Sequence, residues 1–281
     1  MNTRADTRVF VGGQRAAAIP NGDRGFAYGD GLFETMRANR GNVPWWDAHW
    51  ARLQRGAARL RLALPDQVVV RDEATDLLDG GDGVLKLVVS RGSAGRGYAP
   101  AGASSPTWTL SLHPVPAAFP ANGLTLRWCA MRLAIQPVLA GIKHCNRLEQ
   151  VLARAEWDEA AAGVQSADEG LMCSSEGDVV CATSANVFVL AARRWITPRV
   201  DRCGVAGICR GWALSALGAE QVRLSVADIE SADAVFLCNA VRGILPVARL
   251  GAVSWSPHPQ VAALKSQLAA AHPAFTATSP E

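Results

Sequence analysis

A proline-rich break near the middle of the chain constrains the fold more than any other feature. Residues 114–123 read PVPAAFPANG, with three prolines and a closing Gly in ten residues. Proline fixes φ and withholds a backbone N–H, so neither a helix interior nor a central strand tolerates such a stretch. The pattern predicts a linker at 114–123 between an N-terminal domain, 1–113, and a C-terminal domain, 124–281.

Both halves mix helix and strand signals, so the expected class is α+β. Val9–Val11 followed by Gly12-Gly13 reads as strand and turn, and Pro20–Gly25 as turn chemistry. Asp47 is placed to cap a helix carrying Trp50, Leu53, Ala57 and Leu60 on one face, with His49, Arg52, Arg55 and Arg59 elsewhere. Val84–Val89 and Thr107–Leu112 read as strands. Beyond the linker, Leu124–Trp128, Val179–Cys181, Asn186–Leu190 and Ala234–Cys238 read as strands, and 146–162, 206–217 and 258–271 as helices.

The 281 residues carry a net charge of +3 and no basic block, which gives no ground for a nucleic-acid partner. No stretch approaches the roughly 20 apolar residues that span a bilayer, so no membrane association is expected. The seven cysteines are odd in number and include no CxxC pair, a pattern that fits a reduced, cytoplasmic protein. The five histidines form no HxxxH or HxxH spacing, and no metal site is expected.

The segment GIKHCNRLEQ, Gly141–Gln150, speaks most directly to chemistry. Asn146 and Glu149 have the spacing of a capping box. Leu148, Val151, Leu152 and Ala155 follow at helical spacing, as on a helix packed against a core. Lys143 would then stand at the lip of rigid structure, where a desolvated amine can act as a nucleophile or form a Schiff base. Four further segments accompany it. DAHWARL puts the cation Arg52 on an amphipathic helix. GVAGICRG, Gly204–Gly211, opens a helix with the backbone N–H groups that suit a phosphate, without being a P-loop or GxGxxG. RGSAGRGY, Arg91–Tyr98, is a mobile glycine-rich loop whose guanidiniums can pair with carboxylates. Ser184–Phe188 is a small-residue turn entering a strand.

Together these segments resemble the fold-type IV pyridoxal-phosphate enzymes, the group of branched-chain and D-amino-acid aminotransferases. Within that group they are most similar to the aminodeoxychorismate lyases. The similarity runs from DRGFAYGDG at Asp23–Gly31 to NAVRGILP at Asn239–Pro246, and GIKHCNRLEQVL matches the lyases' cofactor-lysine segment nearly throughout. The resemblance implies a two-domain, D-amino-acid aminotransferase-like α+β fold with pyridoxal 5'-phosphate in the cleft between the domains. The C-terminal domain would carry Lys143, holding the cofactor as a Schiff base. Arg52 would grip the phosphate, and the N–H groups of Gly207 and Ile208 would complete that site beside Asn239, with Asn186 also at the cofactor. Phe33, Arg96 and Tyr98 would contact the substrate, Arg96 and Tyr98 reaching the other subunit of a homodimer. The implied reaction converts 4-amino-4-deoxychorismate to 4-aminobenzoate and pyruvate in folate synthesis. The alternatives are an aminotransferase for branched-chain or D-amino acids and a cofactor-binding relative of altered or lost activity.

One position departs from the family pattern. Five residues before Asn186, where the family carries a glutamate against the pyridine nitrogen, the sequence CATSAN places Cys181. A thiol is a weak hydrogen-bond partner. Either the enzyme works with a less acidic ring, or Glu176 or Asp178 substitutes, or the chain is impaired or repurposed.

Overall fold

The computed structural model describes residues 6–100, 105–119, 122–158 and 167–276. The chain divides into two units. The first comprises residues 1–116 with 142–146, and the second 117–141 with 147–281.

In the first unit, β1 (Asp6–Val11), β2 (Gln14–Ala16), α1 (Arg24–Tyr28), β3 (Gly31–Ala38), α2 (Trp46–Leu60), α3 (Gln67–Leu78), β4 (Gly83–Ser90) and β5 (Thr107–His113) follow in order. The strands form an antiparallel sheet ordered β2-β1-β5-β4-β3. Its register lines up Phe10, Trp108, Val89 and Leu32 on one face, all buried. Phe10 and Trp108 stack with ring centroids 3.8 Å apart, and truncating either ring would cost about 3–5 kcal/mol. Helix α2 packs on this face at β3. Gly56 permits the approach, since a Cβ there would stand 2.9 Å from both methyls of Leu32.

The start of α2 differs from expectation. Trp45, in the left-handed region at φ 60°, precedes the helix and makes no side-chain cap, while Asp47 lies in the first turn and pairs with Arg71 at 2.8 Å. The apolar stripe is as read, but His49 and Arg52 lie on the buried face and only Arg55 and Arg59 are exposed. Residues 49, 52, 53 and 56 share one side of a 3.6-residue repeat, so the approach that Gly56 allows draws His49 and Arg52 into the sheet.

In the second unit the elements are β6 (Leu124–Trp128), α4 (Leu148–Asp158), β7 (Glu169–Cys173), β8 (Val179–Ala182), β9 (Asn186–Ala191), β10 (Arg194–Pro198), α5 (Ile208–Leu217), β11 (Glu220–Val222), α6 (Val226–Glu230), β12 (Ala234–Asn239), β13 (Gly243–Leu250), β14 (Val253–Ser254) and α7 (Pro259–Ala271). The sheet runs β11-β10-β9-β12-β13-β6-β7-β8, with β14 paired to β13. Its core includes Leu124, Leu171, Val187, Val189, Val235, Leu237 and Trp255.

Helix α4 starts two residues later than the spacing suggests, and 159–162 lie outside the described residues. Asn146 donates to Gly29 O at 3.1 Å, and Glu149 accepts from Ala134 N at 2.7 Å. The helix buries Ala153 and Trp157. Leu148, Val151, Leu152 and Ala155, expected in the core, are exposed, Leu148 to 75%. The stripe was correctly spaced but faces outward, because the bulkiest contact is made by Trp157 on another side of the helix.

Candidate active site

Lys143 lies along the free edge of β3. Phe33 N donates to Lys143 O at 3.0 Å, Cys145 N donates to Gly31 O at 2.9 Å, and Leu32 bridges to His144. Residues 142–146 thus cover an edge that would otherwise present unpaired backbone groups. Gly31 is required there, since a Cβ would come within 2.6 Å of Val89 O and 3.4 Å of Cys145 Sγ. This pairing assigns Lys143 to the first unit, whereas the sequence reading grouped it with the C-terminal domain. The Lys143 Nζ sits 4.2 Å from the Phe33 ring centroid, and Lys86 Nζ lies 5.8 Å from the same centroid. Phe33 therefore faces two ammonium groups on the side of the sheet opposite α2.

Under that sheet lies a buried charged cluster that sequence reasoning missed in part. Glu34 is 1% exposed. Its carboxylate takes Arg52 bidentately, Nε to Oε1 at 2.8 Å and Nη2 to Oε2, and also meets His49 Nδ1 at 2.6 Å. Burial by itself would raise the Glu34 pKa, but the charge and hydrogen bond of Arg52, with His49, bring it down to about 2. Burial pushes the His49 pKa down despite its bond to Glu34, so the ring is neutral and donates Nδ1–H to the carboxylate. His49 Nε2 is buried with no hydrogen-bond partner among the described residues. A signal was present in the sequence. Glu34 occupies the parity of Leu32, Met36 and Ala38, so its charge falls on the core face of β3.

The glycine-rich loop follows β4. Arg96 and Tyr98 are both exposed, Tyr98 to 86%.

In the second unit the two asparagines act on backbone. Asn186 Nδ2 donates to Val205 O at 2.9 Å. Its Oδ1 stands 2.1 Å from where a Gly207 Cβ would be, so only glycine fits at 207. Gly207 precedes α5, which begins at Ile208 and has neither a side-chain cap nor an acid in its first turn. Asn239 Oδ1 accepts from Val241 N and Arg242 N at 3.0 and 2.8 Å, closing a turn, and its Nδ2 reaches Ser184 O at 3.4 Å.

Cys181 is buried among Cys129, Leu133, Trp157, Met172, Val180 and Cys203. Burial, with Cys203 beside it, pushes its thiol up to about 12, so it is neutral. Neither acid considered as a substitute is near this role. Glu176 pairs through both oxygens with Arg202, and Asp178 lies 3.5 Å from Arg223. Among the described residues of this unit the buried acid is Glu169, which no sequence motif singles out. It accepts from Gly170 N at 2.9 Å and from the hydroxyls of Thr183 and Ser184, fixing the turn that leads to Asn186. No disulfide joins any of the seven cysteines. Among the described residues no cluster of three or more His, Cys, Asp or Glu could hold a metal, and no helix is long and apolar enough to cross a membrane.

Each unit by itself offers groups that suit a phosphorylated aldehyde. In the first, Lys143 offers an amine and Arg52 a fixed cation beside His49, whose Nε2 has no hydrogen-bond partner among the described residues. In the second, α5 offers an uncapped N-terminus behind a glycine that admits no side chain.

The amino-transferase class IV family model matches residues 31–250. An aminodeoxychorismate lyase from Vibrio harveyi is 38% identical over 253 residues, covering 86% of this chain and 91% of the relative. The crystal structure of 4-amino-4-deoxychorismate lyase from Pseudomonas aeruginosa superposes with a TM-score of 0.85 at 40% identity, covering 93% of this chain and 98% of that one. A putative branched-chain-amino-acid aminotransferase from Methanocaldococcus jannaschii is 27% identical, covering 85% of this chain and 86% of its own length.

Proposed function

The chain belongs to the class IV aminotransferase family, and from that premise we propose that it is a pyridoxal-phosphate-dependent lyase converting 4-amino-4-deoxychorismate to 4-aminobenzoate and pyruvate. The observation that carries this reading is near full-length similarity to two lyases at 38% and 40% identity, against 27% for the aminotransferase.

On this reading Lys143 would hold the cofactor covalently, Arg52 and the N–H groups of Gly207 and Ile208 would bind its phosphate, and Asn186 and Asn239 would shape the backbone around them. The chemistry such a cofactor would supply is withdrawal of electrons from the carbon that bears the substrate nitrogen. The Lys143 amine takes the proton from that carbon as general base. The C–O bond to the enolpyruvyl group breaks, its electron pair leaving with oxygen, and the ring becomes aromatic. Lys143 or water then supplies the proton that turns the enolate into pyruvate. Phe33 packs at the amine, and Arg96 and Tyr98 hold the substrate's carboxylates, which works by positioning.

The neutral Cys181 thiol makes the cofactor a poorer electron acceptor than a carboxylate would. A charge-assisted hydrogen bond worth about 1.5–3 kcal/mol is missing there. Elimination tolerates this, because formation of an aromatic product drives it; amino transfer has no such help. The reading places a homodimer in the cytoplasm. The exposed apolar stripe of α4 and the absence of disulfides among the seven cysteines support those two points respectively.

The decisive assay follows 4-aminobenzoate on incubation with aminodeoxychorismate. Amino transfer to a keto acid without pyruvate release would replace the lyase reading with the aminotransferase one. Borohydride should fix the cofactor to a peptide containing Lys143, read by its mass. Cys181→Glu should shift the cofactor's absorption, and an unchanged spectrum and turnover would contradict the account of the ring nitrogen.

A further inference from the structure

A second buried cation in the first unit does work that no motif assigns to it. Arg24, on the short helix α1, is 4% exposed. Its Nε donates to Asp30 Oδ2 at 2.9 Å. Its two other donors cross to the glycine-rich loop, Nη1 to Gly97 O at 2.9 Å and Nη2 to Tyr98 O at 3.3 Å. The guanidinium also lies 4.8 Å from the Tyr28 ring centroid, and Tyr28 meets Tyr98 at 5.5 Å.

The loop is held at both ends by this one short helix. At its start, Arg24 N donates to Gly92 O at 3.0 Å, and Ser90 Oγ donates to Asp23 Oδ2 at 2.7 Å. Gly92 and Gly97 both sit at φ 86°, in the left-handed region. The loop therefore bends at two glycines, and Arg96 projects, exposed, between the two grips. Asp30 orients the clamp. It also accepts from Arg91 at 2.7 and 2.9 Å, while Arg91 donates to Leu60 O and Arg61 O at the end of α2. A planar fork can serve a carboxylate, two consecutive carbonyls and a ring face together. An ammonium cannot.

We infer that Arg24 is a positioning residue that fixes loop 92–98 so that Arg96 and Tyr98 are set for the substrate's carboxylates. This rests on the proposed substrate role of that loop. An exposed loop bent at two glycines loses much conformational freedom when it closes on a ligand. Two hydrogen bonds to the backbone on the far side of Arg96 remove part of that freedom beforehand, which lowers the cost of binding.

The test uses the cofactor-loaded enzyme and three variants, Arg24→Met, Arg24→Lys and Arg96→Ala. Two readouts are followed: the kcat and KM for aminodeoxychorismate, and the rate of tryptic cutting after Arg96. Arg24→Met should raise KM by roughly tenfold while kcat changes far less, because binding rather than chemistry is affected. It should also speed cutting after Arg96, and Arg24→Lys should restore neither. If Arg24→Met folds poorly, Asp30→Asn, which frees the guanidinium to rotate, should give the same pair of changes. An unchanged cutting rate overturns the clamp. Faster cutting with normal KM, while Arg96→Ala raises KM, overturns the positioning role. Normal KM in Arg96→Ala marks a different failure, that of the loop's substrate role, and the positioning role falls with it.

Discussion

Glu34 and Cys181 are both buried and both titratable, yet the fold drives them to opposite states. Burial opposes charge at each, and at Cys181, 7% exposed among apolar side chains and other thiols, it prevails, so the thiol is neutral. At Glu34 the guanidinium of Arg52 outweighs it, and the carboxylate ionises more readily than in water. The difference teaches that depth does not set charge; the nearest partner does. The first unit holds a fixed charge beneath the lysine edge, and the second holds an uncharged, polarisable pocket.

The most severe way to break this contrast is to remove one half of the Glu34–Arg52 pair. Arg52→Met should destabilise the protein by about 3–5 kcal/mol, because it strands a buried carboxylate. Denaturant unfolding measures it, and a loss below about 1 kcal/mol would mean that Glu34 does not depend on Arg52 for its charge. Replacing Glu34 and Arg52 together by methionine should recover much of that loss, since no lone charge then remains.

Acid titration sharpens the contrast without mutation. The folded pKa of Glu34, about 2, lies below the ordinary 4.5. Its contribution is therefore present above pH 4.5 and is lost as pH falls from there toward 2, on the order of 3 kcal/mol in all. His49 acts with the same sign but earlier. Its folded pKa is lowered from 6.5, so the unfolded chain takes up a proton first and stability begins to fall below that pH. Unfolding free energy measured from pH 7 down to pH 3 should decline in those two stages, and the second should be smaller in the Glu34/Arg52 double methionine variant, where Asp30 and Asp228, also held below the usual carboxylate range, still contribute.

The smallest effect belongs to the thiol. Cys181→Ala should cost about 1 kcal/mol, the removal of a small buried group. Its stability increment should shrink as pH rises from 6 to 9, because the thiol of the unfolded chain begins to ionise near its ordinary 9.0 while the buried one, pushed up to about 12, stays protonated. An increment that stays constant over that range would show that Cys181 ionises as readily in the folded protein as in the unfolded chain.

Much of this site was legible in the order of residues. Lys143 stood out through GIKHCNRLEQ, and Gly207 through a glycine run opening a helix. Cys181 stood out as a break in a pattern. Other features were visible only as parity, as with Glu34 on the core side of β3, and parity is informative only once the strand's limits are known. Arg24 carried no local signal at all. Its partners Gly97 and Tyr98 are more than seventy residues away, and nothing in a sequence window reports such a bond. The stripe on α4 shows the converse, since helical spacing was readable but the direction in which it points was not.

By itself the sequence determined the elements whose causes are local: the proline break, the apolar repeats, the glycines that alone fit their turns, and the lysine segment. Tertiary structure decided what each polar group is. It placed Lys143 on the edge of β3, set a guanidinium against Glu34, sank Cys181 among apolar side chains and other thiols, and turned Arg24 toward the loop. The physical reason is that electrostatic state and hydrogen-bond partnership depend on atoms within a few ångströms, and for these residues those atoms come from distant parts of the chain.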